Sequence, residues 1–410
     1  MALNLLWILF FLLAFVTALI RLIFFGDTEI FKTMVDGVFD AAGTSVQIAI
    51  GLIGVMALFL GFLNIGEKAG AVNFLSRIIG PFFHKLFPEV PKNHPSMGHM
   101  VMNFSANLLG LDNAATPFGL KAMKSLQELN PSSDTASNAQ IMFMVLHASG
   151  LTIIPVSIIA QRAILKSNDP TSIFIPCMIA TFAATVVALT VVAFKQKINL
   201  FQPVILLWIG TISITIGLLV YFLRVHSSYI DPFSKVFSNG LILLLFIVFI
   251  IGGMVRRINV YESFIEGAKQ GFQVAVTIIP YLVAMLVAIS VLRSCGILDL
   301  ITQGIGSFFH LLGVNTDFVP ALPTALMRPL SGAAGRGMMI STMTQYGPDS
   351  FVGKLACVFQ GTADSTFYIA ALYFGSIGIN KIRYAIPAAL IADLAAIVTA
   401  ILVSYIFFPH

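Results

Sequence analysis

The chain has 410 residues, 58% of them apolar and only 10% charged, with a mean hydropathy of +0.94. A soluble chain carries roughly a quarter charged residues, so composition excludes a string of soluble domains and points to a lipid bilayer as a partner. The net charge of +5 comes from Lys and Arg scattered between apolar spans, with no basic run beyond Arg256-Arg257. That reads as loop anchoring at a membrane surface and argues against a nucleic-acid partner.

A spanning helix needs about 20 mostly apolar residues. Residues 2–25 form the first such run. It has no basic start and exceeds the apolar core of a signal peptide, so a retained helix is expected. Further runs lie at 44–64, 140–162, 171–194, 203–223, 238–256, 272–292 and 384–408. None alternates in the manner of a strand. The expected fold is all-α, a polytopic integral membrane protein.

Other segments do not fit a plain span. Residues 68–88 and 294–313 are apolar but interrupted by charge and Gly, as interfacial or re-entrant pieces are; they are also candidate surfaces for a homodimer. Residues 98–129 and 320–380 are rich in small and polar residues, with Gly and Pro breaking any helix. Broken backbone is tolerated at membrane depth only where protein buries it or a watery cavity receives it. Transporters build solute sites from it.

An internal repeat strengthens that expectation. At an offset of 226, residues 36–84 fall on 262–310 without a gap, and about 11 of the 49 pairs are identical. Gln47 meets Gln273, Gly70 meets Gly296, and Phe82-Phe83-His84 meets Phe308-Phe309-His310. The paired glutamines either line a pathway or bond between helices. An odd number of helix steps between 44–64 and 272–292 would make the repeats inverted. The chain divides into an N-terminal helix (1–35), a first repeat (36–165), linker helices (166–258) and a second repeat (259–410).

Two tracts concentrate polar side chains. In the first, Asn103 and Asn107 are four apart and share a helical face, and Gly110, Asp112, Asn113, Thr116 and Pro117 suggest one helix ending and another beginning. A free helix N-terminus there suits an anionic or carbonyl-bearing ligand; equally, such residues glue membrane helices together. The second tract holds Arg328, Ser331, Gln360, Thr362, Asp364 and Thr366. Arg328 and Asp364 are ionisable groups at membrane depth, where function is the default reading, and they are candidates to pair with each other. Arg336, Asp349 and Lys354 read as surface groups.

Several chemistries are absent from the sequence. There is no GxxxxGK[ST], no GxSxG elbow and no zinc spacing, and Cys177, Cys295 and Cys357 read as free buried thiols. No enzyme activity, metal or cofactor is expected. If a proton is coupled, Asp364 or Asp112 would carry it.

At these motifs the chain resembles a known family. NLLGLDNAATPFGLKAM at 107–123 is similar to spore maturation protein A. MRPLSGAAGRG at 327–337, GPDSFVGKLACVFQGTADSTFYIAALYFGSIGI at 347–379 and RYA at 383–385 are similar to spore maturation protein B. The whole looks like a fusion of the two, within the gate-domain or nucleoside-recognition superfamily. That superfamily includes gate segments of ferrous-iron transporter B and of concentrative nucleoside transporters. The resemblance implies that Gly110–Pro117 and Gln360–Phe367 are equivalent breaks, with about 24 residues inserted in the second half.

The expected function is a bacterial inner-membrane secondary transporter or gated permease for a small polar solute. Asn103, Asn107, Asn113, Thr116, Arg328, Ser331, Gln360, Thr362, Asp364 and Thr366 would line its site. The alternative is a non-transporting scaffold for envelope or spore maturation.

Overall fold

The computed structural model describes residues 2–91, 93–109, 112–225 and 230–408. Among these residues there is no strand, only an isolated bridge between Thr135 and Lys381. Seven helices are long and apolar enough to cross a membrane, and the protein is a multi-pass, all-helical membrane protein.

Two long helices, α2 (Ile30–Lys68) and α11 (Val260–Ser294), form the largest packed pair. They run antiparallel. Gly37 O accepts from Ser290 Oγ at 2.8 Å, Asn64 Nδ2 donates to Ser263 O at 2.6 Å, and Lys68 pairs with Glu266. Gly267 sits where an added Cβ would collide with Leu60 O and crowd Gly61, so the two backbones touch only because a side chain is missing. Each long helix ends at a left-handed glycine, Gly70 (φ 88°) or Gly296 (φ 85°), a conformation other residues rarely adopt. That glycine opens a short amphipathic helix, α3 (Ala71–Leu86) or α12 (Ile297–Leu311). Gly70 and Gly296, aligned at the offset of 226, thus both sit at the junction of a long helix with a short one.

Next in each half comes a helical hairpin: α4 (Pro95–Leu108) with α5 (Asp112–Glu128), and α13 (Leu322–Met327) with α14 (Gly332–Tyr346). Then come α6 (Asn138–Ala148), α7 (Val156–Ile164) and α8 (Phe174–Gln196) in the first half. In the second they are α15 (Phe351–Gly361), α16 (Thr366–Gly375) and α17 (Ala385–Phe407). The remaining helices, α1 (Ala2–Phe25), α9 (Pro203–Val225) and α10 (Ile230–Val255), lie at the periphery. Leu207, Ile214 and Leu218 of α9 point their apolar surface outward, as lipid-facing residues do.

Two expectations need correction. The apolar run 140–162 is not one span: it breaks at 149–155 between α6 and α7, because Gly150 takes a left-handed φ of 61° and Pro155 lacks an amide hydrogen. Gln47 and Gln273 are both exposed, on the outer faces of α2 and α11 rather than between them. Within 166–258, α8 packs in the core against α17 and α6.

Candidate functional site

The centre of the molecule is a contact between two broken helices. Ser137 and Gln140 close a capping box on α6, and Ser350 caps α15 with Oγ accepting from Gly353 N at 2.9 Å. Each helix runs 11 residues, breaks, and resumes for 9 residues in α7 or 10 in α16 before a loop and a 23-residue span. In element order the break at 362–365 therefore corresponds to 149–155. The end of α4 at Leu108, in the first tract, corresponds instead to the end of α13 at Met327.

The breaks bond to each other and to the hairpin tips. Asp364 N donates to Ala148 O at 2.8 Å, and a Cβ on Gly150 would press on Asp364 N at 3.0 Å. Ile153 N donates to Leu108 O at 2.9 Å, and Phe367 N donates to Pro329 O at 3.1 Å. Backbone groups freed by each interruption thus find partners on the neighbouring element, as burial away from water demands.

Charged side chains gather at this contact. Asp364 Oδ1 accepts from Ser365 N at 2.7 Å and lies 3.6 Å from Arg328 Nη1. Arg328 also donates from Nε to Gln360 O at 2.9 Å and from Nη1 to Ser365 Oγ at 2.9 Å. Across the break, Asp364 Oδ2 lies 3.7 Å from His147 Nε2. His147 is buried, as are Asn103 and Tyr373, which meet its Nδ1 at 3.0 and 3.1 Å. Tyr373 lies flat on Phe143, with ring centroids 5.5 Å apart. The Asp364 side chain alone opens outward, at 36% exposure beside a His147 at 4%.

The expected residues divide. Asn103, Arg328, Gln360 and Asp364 come together here, with Asn103 reaching the group through Tyr373 and His147. Ser331 caps α14, accepting from Ala334 N at 3.3 Å. Thr362 donates to Phe359 O at 2.9 Å within its own helical turn. Thr366 donates to Asp393 Oδ2 of α17 at 2.7 Å, and that carboxyl lies within electrostatic reach of Arg328 and Asp364. Asn107 is buried at the end of α4, and Thr116 is half-buried on α5. Gly110 and the side chains of Asp112 and Asn113 lie outside the described residues.

His147 and Asp393 are the functional candidates that hydropathy obscured. Each is a single ionisable residue inside an apolar run, the signal that marks intramembrane function, but a 20-residue average dilutes one polar side chain.

At the helix ends and in the loops beyond them, two latches hold the broken helices at opposite ends. Asp349 does not sit free on the surface: it pairs at 3.1 Å with Arg162, which is 0% exposed. Arg162 also donates to Pro348 O, Pro170 O and Asp169 O. Burial opposes the charge on Asp349, yet hydrogen bonds from Asn168 N and Ser167 Oγ, with the Arg162 charge, hold its carboxyl below the ordinary value. At the other end, Asp134 pairs with Lys381 at 2.7 Å, and its O accepts from Asn380 N and Lys381 N. The Lys381 ammonium and the Thr135 and Ser132 hydroxyls pull the Asp134 carboxyl down to about 2.

The family model "Gate: Nucleoside recognition" matches residues 49–166 and 275–380, segments that contain both broken helices. Spore maturation protein B of Bacillus subtilis (strain 168) is 45% identical over 156 residues, 38% of this chain and 86% of that protein. Spore maturation protein A of the same organism is 38% identical over 156 residues, 38% of this chain and 80% of that protein. No solved structure matches the chain. With the family model covering more than half of its length, the chain belongs to the gate (nucleoside recognition) family.

Proposed function

We propose that the protein is a secondary transporter or gated permease of a bacterial inner membrane, carrying a small polar solute such as a nucleoside, amino acid or organic anion. The observation that carries this reading is Asp364, a half-exposed carboxylate at the junction of two broken helices and flanked by His147 and Arg328. Placing ionisable groups at membrane depth costs free energy that a merely structural contact would avoid with apolar residues. Opposite charges side by side suit a solute that offers both donors and acceptors. The antiparallel α2 and α11 support inverted repeats, which rock about a site between them in alternating access.

The test is thermal stabilisation of the purified protein in detergent by nucleosides, nucleobases, amino acids and dicarboxylates. A ligand at 100 times its Kd adds about 2.7 kcal/mol to stability. We expect a hit in one class that disappears in Asp364→Asn while the variant stays folded. The relatives are named for spore maturation, which favours a scaffold as the second reading. Silence across the panel, with Asp364→Asn merely less stable, would favour that scaffold.

A further inference from the structure

Hydrogen-bond geometry determines which nitrogen of His147 carries its proton. Asn103 Nδ2 lies 2.6 Å from Ala115 O, and only the amide nitrogen can donate to a carbonyl. The same amide therefore turns its Oδ1 toward His147 Nδ1 at 3.0 Å, so Nδ1 must be the donor of that pair. Tyr373 Oη accepts from Asn103 Nδ2 at 3.3 Å, consistent with this arrangement. A neutral imidazole protonated on Nδ1 has a bare Nε2, and that lone pair faces Asp364 Oδ2 at 3.7 Å. The other carboxylate oxygen, Oδ1, is already engaged by Ser365 N and neighbours Arg328. Two acceptors thus face each other across the junction, and the donor beside Nε2 is the Tyr373 hydroxyl, at a long 3.5 Å.

We propose that the Nε2–Oδ2 gap is a proton site: one proton, taken from water on the open side of Asp364, binds His147 Nε2 and joins the two broken helices, and its return to water drives them apart. The joined state is an imidazolium beside a carboxylate. The proton-free state sets a lone pair against an anion. His147 sits in the last turn of α6 and Asp364 in the break before α16, so the charge change acts between elements that would separate in a transport cycle. The titratable and charged groups around it are Asp364 and Arg328 from the second half, Asp393 of α17 within electrostatic reach of both, and Tyr373 of α16 against the ring. The proton's coupling to solute rests on the transporter reading above; the proton site itself does not.

Nitrogen-15 NMR of histidine-labelled protein in nanodiscs reads both parts, with His147→Gln assigning the resonance. We expect a neutral form protonated on Nδ1 at high pH that converts to imidazolium as pH falls. In Asp364→Asn the amide can donate to Nε2, and the conversion should move to lower pH or vanish. A neutral form protonated on Nε2, or a titration unchanged by Asp364→Asn, overturns the proposal. If His147→Gln fails to fold, Asn103→Ala provides the assignment, because loss of the Oδ1 acceptor shifts the His147 Nδ1 signal. The spectra need no solute. A failed titration removes the proton site and leaves the ligand panel to judge transport, whereas a silent panel leaves the titration standing.

Discussion

Arg162 illustrates how one side chain in this chain serves several ends. It is fully buried, and five of its partners are loop oxygens on Pro170, Asp169, Pro348, Ser167 and Ser172. The guanidinium suits the place because its planar fork offers five donors. Removing a buried partner leaves the rest uncompensated, at a cost of about 3–5 kcal/mol. Arg162→Met should therefore lower the thermal midpoint in detergent far more than Asp349→Asn, whose carboxylate is 30% exposed. The pH response follows from the depressed Asp349 carboxyl. Its contribution is present above the ordinary carboxylate value and fades as pH falls through the lower folded value. Thermal midpoints of wild type and Asp349→Asn should converge on acidification. Sequence marked Asp349 as a surface group and left Arg162 without a partner, since residues 187 apart carry no local sign of meeting.

At the scale of elements, the breaks are built from ordinary helix grammar. Gly150 and Pro155 end one helix and begin another, and Ser137, Ser350 and Ser331 cap their successors. Those signals were open to reading in 320–380, where Gly and Pro are dense. They were hidden in 140–162, where the flanking residues are apolar enough to average into a span. The α2–α11 contact depends on glycine in a comparable way. Gly267→Leu puts a side chain against the Leu60 carbonyl and Gly61, and overpacking of this kind typically costs about 1–3 kcal/mol. A matching Leu at Gly43, where an added Cβ meets nothing, should leave the thermal midpoint near that of wild type. A loss confined to Gly267→Leu is the expected result.

For the whole molecule, the two latches and the central contact describe three points along one antiparallel pair of broken helices. Asp134–Lys381 ties the loop before α6 to the loop after α16. Arg162–Asp349 ties the last turn of α7 to the loop before α15. An alternating-access cycle opens one end while the other stays closed, so each latch would break in turn. Thr135 and Lys381 are bridge partners; replacing both with cysteine and oxidising them should hold that end shut. In proteoliposomes loaded with the ligand found by the panel, exchange should fall to background and return on reduction. Unchanged exchange in the oxidised protein would show that this end does not open.

The sequence by itself determined the solvent, the helical class, the repeat and the concentration of polar residues in two tracts. These properties are local sums: hydropathy over about 20 residues, the spacing of Gly and Pro, and pairwise identity at one offset. It also singled out Arg328 and Asp364, because a charge in an apolar setting is conspicuous without a partner. Tertiary structure alone decided that Asp364 faces His147 across 217 positions of chain, that Thr366 bonds to Asp393, and that Asn103 sets the orientation of an imidazole. Those pairings follow from how two broken helices meet, and that geometry is set by packing between elements whose separation along the chain bears no relation to their distance in space.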